Sequence, residues 1–152
     1  MVASAAALAE AATDTVASEI GQSRGPDARL ITTLLTTRER VPAGTDGGIT
    51  LPGSMAGLAA GMVVVTVAAL GGMVSWDQLW IPVAAGFAGM LFDSLLGATL
   101  QRRGWIGNQA VNLFSTLAAA ALAYATARLS INPISNHVGA VKHFLSVLLR
   151  AL

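Results

Sequence analysis

The stretch GGITLPGSMAGLAAGMVVVTVAALGGMVSW, residues 47–76, contains no charged side chain. A second uncharged stretch, GWIGNQAVNLFSTLAAAALAYATA, covers residues 104–127. Each exceeds the roughly 20 residues that a helix needs to cross about 30 Å of hydrocarbon. Of the 152 residues, 54% are hydrophobic and only 11% are charged, and the mean hydropathy is +0.64. The composition therefore predicts an integral membrane protein.

The hydrophobic pattern predicts an all-α fold, an integral membrane helical bundle of about four spans. The predicted helices cover about Val2 to Ile20, Pro52 to Val74, Leu79 to Leu100 and Asn108 to Leu129. Residues 1–129 are expected to form the membrane domain. Residues 130–152 are expected to form a C-terminal extension, in which Asn132-Pro133 predicts a break. The stretch after the break mixes leucines with positive charges and is short for a span, so it favours an interfacial amphipathic helix.

The arginines predict the orientation of the bundle. Four lie in the connector after the first helix, and Arg102 and Arg103 follow the third; the first four are Arg24, Arg29, Arg38 and Arg40. The connector between Trp76 and Trp80 has only the acidic Asp77. Positive loops prefer the cytoplasm and tryptophans prefer the interface. Both arginine connectors are therefore expected on the cytoplasmic side. As a separate expectation, a prokaryotic cell membrane is favoured over an organelle.

The first helix carries a polar stripe. Glu10, Asp14 and Ser18 recur every four residues and share one helix face, and Glu19 lies about 100° away near the helix end. Two interpretations remain open. The carboxylates hold Mg²⁺, a hard cation that takes oxygen ligands and shares them with substrate phosphates, or the helix lies on the membrane surface with its acids in water.

Asp93 lies alone in an apolar stretch of the third predicted helix. An ionisable side chain inside a span is costly and normally faces a partner or a cavity, so a functional role is favoured. Asn108 and Asn112 are four residues apart at the start of the fourth helix and share a face. They are either ligands or interhelical hydrogen-bonding groups.

A glycine-rich turn, residues 41–48 with the sequence VPAGTDGG, precedes the second helix. Glycines let backbone N–H groups approach a phosphate closely, and a helix start adds its positive dipole end. The same composition also marks an ordinary turn, and only the neighbouring arginines favour a phosphate site. The chain has no cysteine, which excludes thiolate chemistry, and no nucleic-acid binding is expected.

Five motifs in the same order resemble one integral membrane family. They are EAATDTVASEIG at 10–21, RLITT at 29–33, VPAGTDGG at 41–48, FDSLLGATLQ at 92–101 and NQAVNLFS at 108–115. The family includes transmembrane protein nineteen of animals and the plant phytyl-phosphate kinase of vitamin E synthesis. It is distantly similar to polyprenol kinases and phosphatidate cytidylyltransferases. Its members usually begin with further hydrophobic spans before the first of these motifs.

The resemblance implies a kinase that transfers a phosphoryl group from a nucleotide triphosphate, CTP or ATP, to a prenyl phosphate in the lipid bilayer, with Mg²⁺. The acids that it implies as catalytic and metal-binding residues are Asp14, Glu19 and Asp93. The residues that it implies for substrate and phosphate binding are Arg40, Thr45, Gly47, Gly48, Asn108 and Asn112. The alternatives are a CTP-dependent lipid cytidylyltransferase and a non-enzymatic transporter or assembly component. Association into a homo-oligomer is left open.

Overall fold

The computed structural model describes the backbone of residues 1–23 and 28–151 and the side chains of that part up to residue 130. Arg24 lies outside the described residues. The four helices are α1 (Val2–Ser23), α2 (Leu51–Leu70), α3 (Trp80–Leu96) and α4 (Asn108–Ala151). The predicted helical bundle is confirmed, and the helix starts lie within one residue of those predicted from the sequence.

The helix with three carboxylates, α1, packs against all three other helices. Its alanines allow this close approach, since Ala5, Ala6 and Ala9 are fully buried. Ala6 packs with Ile81 of α3 and Ala123 of α4, whereas Ala5 packs with Ala68 of α2. Because α1 lies among three apolar helices, much of its polar surface is withdrawn from lipid.

Glycines make the contact between α1 and α2. Gly53, Gly57 and Gly61 recur every four residues and lie against α1, where Thr13 and Ala17 face them. A methyl group on any of the three would come closer to α1 than a real carbon atom does. Helix pairs in membranes associate through this kind of close backbone contact, because lipid supplies no hydrophobic driving force between helices.

Three helical segments in the described part of the chain are long and apolar enough to cross a membrane: Leu51–Leu70, Trp76–Gln101 and Asn108–Ser130. The 22 residues of α1 match them in length, but α1 carries three carboxylates. Large apolar side chains point outward from the spans, among them Met55, Val63, Val67, Leu113, Phe114 and Leu117. An outward apolar face is what a lipid-embedded bundle requires.

The connector that joins α1 to α2 along the chain forms a small antiparallel sheet, which the sequence did not predict. Its strands are β1 (Ala28–Leu30), β2 (Arg40–Val41) and β3 (Gly48–Ile49), in the order β2-β1-β3. Ala28, Leu30 and Val41 form a buried cluster against Ala98, which follows α3. The sheet therefore fixes the connector against one end of the bundle.

The ends of the helices depart from the predicted bounds in three places. α2 ends at Leu70, earlier than expected, because Gly72 takes a φ of +72° and the Met73 N–H donates to the Ala68 carbonyl. α3 continues as a π-helical turn, Gly97–Gln101. α4 runs to Ala151 without the expected break at Asn132-Pro133.

Candidate functional site at one end of the bundle

A polar cavity of about 350 Å³ lies where four helix ends meet. It is lined by the C-terminal half of α1, the N-terminus of α2, the C-terminal part of α3 with its π-helical turn, and the N-terminus of α4. The glycine-rich turn closes one side of it. Eight of the nine site residues that the resemblance implied line it: Asp14, Glu19, Thr45, Gly47, Gly48, Asp93, Asn108 and Asn112.

Carboxylates from separate helices reach the cavity. Asp14 and Glu19 enter it from α1, and Asp93 enters it from α3. Two carboxylates from different helices, Asp14 and Asp93, thus line one small space. Such an arrangement is unfavourable in a region of low dielectric constant unless cations or hydrogen-bond donors compensate it. The cavity is therefore suited to a cation.

Two donors from α4 hold the Asp93 carboxylate. The Ser115 hydroxyl donates to Asp93 Oδ2 at 3.1 Å. With the Asn112 amide oriented so that its oxygen and nitrogen both find suitable neighbours, its nitrogen donates to the same Oδ2 at 3.1 Å and to the Asn108 carbonyl at 3.2 Å. Asn112 thus acts at least partly as an interhelical hydrogen-bonding group, one of the two interpretations left open by the sequence.

Glu10 belongs to the same sequence stripe as Asp14 but does not line the cavity. It is 2% exposed, and its Oε2 accepts a hydrogen bond of 2.6 Å from the Thr116 hydroxyl of α4. Gly89 of α3 lies directly against its side chain. The stripe therefore divides, with Asp14 and Ser18 at the cavity and Glu10 in the interior between three helices.

The glycine-rich turn is held by its own hydrogen bonds. The Thr45 hydroxyl donates to the Pro42 carbonyl at 2.7 Å, and the Gly48 N–H donates to the Thr45 carbonyl at 2.8 Å. Gly47 has a φ of +75° and lies against Ala98 in the π-helical turn, too close for a side chain. These contacts fix the turn at the cavity edge. The Thr45 hydroxyl stabilises the turn through its bond to the Pro42 carbonyl.

The start of α2 adds polar groups to the edge of the cavity. Thr50 caps the helix, since its Oγ1 accepts a hydrogen bond of 3.0 Å from the Gly53 N–H, and Pro52 follows within the first turn. Thr50 and Ser54 both line the cavity. A helix N-terminus carries partial positive charge and favours an anion in front of it.

Arg40 is not brought to the cavity. Successive residues of a strand point to opposite faces, and in β2 Val41 is buried in the sheet cluster while Arg40 is exposed. Arg38 is also exposed, and its carbonyl accepts a bond of 3.4 Å from Arg29 Nη1. The structure therefore does not supply the arginine contact that the resemblance implied for Arg40.

Several lining residues were not proposed from the sequence. The polar ones are Thr15, Ser18, Gln22, Asp46, Thr50, Ser54, Ser94 and Gln101. Ser18 was visible as part of the polar stripe, and Thr50 was detectable as a capping residue before an apolar run. Asp46 was inside the recognised turn. Ser115, fully buried and bonded to Asp93, ended a recognised motif but carried no distinct signal.

The family model described as Integral membrane protein DUF92 matches residues 1–120. The chain belongs to this family. The match includes α1, the sheet, α2, α3 and the start of α4, and hence the whole cavity. Every residue that lines the cavity therefore lies within the part shared with the family.

Three relatives are similar to this chain over most of its length. An uncharacterized membrane protein of Synechocystis sp. is 37% identical over 111 residues, 72% of this chain and 42% of that protein. One from Methanocaldococcus jannaschii is 38% identical over 113 residues, 72% and 44% of the two chains. The chloroplastic protein VTE6 of Arabidopsis thaliana is 34% identical over 105 residues, 67% and 30%. The chain spans less than half the length of these relatives. No solved structure matches it.

Proposed function

We propose that the chain transfers the terminal phosphoryl group of a nucleotide triphosphate to an isoprenoid monophosphate at the membrane surface. An oxygen of the monophosphate attacks the terminal phosphorus of the nucleotide. The bond from that phosphorus to the bridging oxygen breaks, and a nucleoside diphosphate leaves. The products are an isoprenoid diphosphate and the nucleoside diphosphate.

The observation that carries the proposal is the meeting of acids and anion-binding backbone at one cavity. Asp14 and Asp93 approach it from two helices, and the glycine-rich turn and the capped start of α2 complete it. Phosphoryl transfer needs little covalent chemistry from a protein and depends on positioning and charge stabilisation. A cavity at the end of apolar helices leaves the isoprenoid tail in lipid while its phosphate reaches water-soluble nucleotide.

The oxygen ligands at the cavity fit Mg²⁺. This ion is usually bound by one or two carboxylates together with water and substrate phosphates. Asp14 and Asp93 would supply those carboxylates, and Glu19 would extend the set. In the part of the chain with described side chains, no three acids or histidines come close enough to form a complete metal site by themselves. When bound, Mg²⁺ would neutralise charge on the phosphate oxygens.

The protein's own groups would hold the anions. The turn at Gly47 would bring backbone near phosphate, with the Gly48 N–H already bonded to the Thr45 carbonyl, and the dipole of α2 would favour the same anion. Asn108, which also lines the cavity, would add a side-chain amide. We further propose that the cavity faces the cytoplasm, because it lies at the end of the bundle that carries the arginine connectors.

The test is a nucleotide-consumption screen with the purified chain in lipid, using phytyl, farnesyl and geranylgeranyl monophosphates with and without Mg²⁺. The expected result is Mg²⁺-dependent transfer of label from the terminal position of CTP or ATP to the lipid. Label from the nucleotide base in the lipid product would instead identify a cytidylyltransferase. Absence of consumption with every acceptor, together with ion movement in vesicles, would favour a transporter and overturn the proposal.

A further inference from the structure

Ser115 lies on the face of α4 that also carries Asn108 and Asn112, since positions 108, 112 and 115 follow the helical repeat. Its hydroxyl is within 3.1 Å of Asp93 Oδ2 and 3.0 Å of the Asn112 carbonyl. A hydroxyl has one hydrogen to donate, and an ionised carboxylate is the stronger acceptor. The hydrogen is therefore assigned to Asp93.

We propose that Ser115 is a positioning residue that fixes the orientation of the Asp93 carboxylate at the cavity. The inference rests on the proposed function, in which Asp93 is a metal ligand. Ser115 and Asn112 both donate to Oδ2, whereas Oδ1 has no hydrogen-bond partner among the residues with described side chains. The pair thus holds one carboxylate oxygen and leaves the other for a ligand.

Burial and location support this role. Ser115 is fully buried in a helix whose neighbouring positions are largely apolar, so its hydroxyl has no access to bulk water. Groups that hydrogen-bond a metal-binding carboxylate fix its rotamer, and their loss commonly lowers metal affinity by about 10-fold to 100-fold. A carboxylate held by two donors from a neighbouring helix has little freedom to turn away from the cavity.

The simpler alternative is that Ser115 only joins α3 to α4. The neighbouring residue offers a matched control for that alternative. Thr116 is also partly buried in α4, and its hydroxyl donates to the carboxylate of Glu10 in α1. That contact joins two helices through the same kind of hydrogen bond, but Glu10 does not line the cavity. A purely structural role would make the two hydroxyls equivalent in their effect on metal binding.

The experiment uses Mn²⁺ as the probe. Its binding to the purified full chain in lipid nanodiscs is measured by electron paramagnetic resonance, with and without a non-hydrolysable nucleotide, alongside thermal unfolding. Ser115→Ala is expected to weaken Mn²⁺ binding about 10-fold. Thr116→Val is expected to leave it unchanged. In an Asp93→Asn background Ser115→Ala should have no further effect, because the carboxylate that it orients is gone.

The outcomes separate this inference from the proposed function. Equal Mn²⁺ affinities for Ser115→Ala, Thr116→Val and the wild type, or a wild-type chain that binds no Mn²⁺ in either condition, would overturn the positioning role. An additive effect of Ser115→Ala in the Asp93→Asn background would overturn it as well. If Mn²⁺ binding responds as expected but no isoprenoid phosphate is phosphorylated, the positioning role stands and the kinase proposal fails.

Discussion

Gly57 of α2 lies directly against the backbone carbonyl of Thr13 in α1, and a methyl group at Gly57 would overlap that oxygen. Thr13 is itself buried, and it also meets Gly61 one turn further along α2. This contact holds the polar helix close to an apolar one. It thereby determines where the following turn of α1, with Asp14, enters the cavity.

Gly57→Ala is therefore expected to destabilise the bundle, because the backbone carbonyl at Thr13 cannot move aside as a side chain can. Overpacking of this kind costs about 1–3 kcal/mol. Thermal unfolding of the purified protein in lipid measures the effect. Gly71→Ala is the control, since a methyl group there meets its nearest atom at an ordinary distance of 3.5 Å. Equal stabilities of the two variants would contradict the close contact.

Asp14→Asn and Asp93→Asn are each expected to reduce phosphoryl transfer by at least about 100-fold, because each removes a charge that the proposed reaction uses at the cavity. Initial rates at saturating nucleotide and Mg²⁺ measure the loss. Asp77→Asn is the control, since Asp77 is exposed in the connector at the opposite end of the bundle. Near-normal turnover in either cavity variant would remove that carboxylate from the site.

Gly47→Ala is expected to impair both stability and turnover, because Gly47 combines a φ of +75° with direct packing against Ala98. Gly104→Ala separates the two causes. Gly104 has a φ of +71°, and nothing would meet an added methyl group within 4 Å. The control should lose only about 1 kcal/mol for its backbone conformation. Unfolding temperatures and rates that are the same in both variants would argue against a packed turn.

Arg40→Ala is expected to change the KM for nucleotide and for isoprenoid phosphate by less than about twofold, the scale of an ordinary surface substitution. The reason is that Arg40 is exposed on β2 and does not line the cavity. Arg38→Ala, also on the exposed part of the connector, is the control for general loss of positive charge. A large rise in KM confined to Arg40→Ala would show that the connector rearranges to bring Arg40 to the phosphate.

The chain contains no cysteine, so single cysteines report the sidedness of the bundle without background. Leu35→Cys lies in the arginine connector at a fully accessible position, and Asp77→Cys lies between the tryptophans at the opposite end. In intact cells a membrane-impermeant maleimide should modify Asp77→Cys and leave Leu35→Cys unmodified. The reverse pattern would place the cavity outside the cytoplasm, against the positive-inside rule.

Much of the fold was predictable because an apolar composition distinguishes membrane-spanning helices from other segments of a chain. The two uncharged stretches predicted two of the spans, and the apolar stretch around Asp93 predicted the third, since hydrocarbon tolerates few exposed polar groups and demands helices of a minimum length. The order of charged and aromatic connectors also gave the relative placement of the helix ends. The small sheet was not predictable, because strands of two or three residues have too few positions to show an alternating pattern.

The sequence predicted which residues belong to the site better than it predicted which contacts those residues make. The sequence alone determined that acids, asparagines and a glycine turn belong to helix ends on one side of the bundle, because an intramembrane charge requires a partner or cavity. Only the tertiary structure showed that Glu10 is buried and accepts a hydrogen bond from Thr116, away from the cavity. It also showed that Arg40 is exposed and that Ser115 donates to Asp93. The physical reason is that helical periodicity fixes which side chains share a face, whereas the rotation of each helix is set by contacts such as Gly57 on Thr13, between residues distant in the chain.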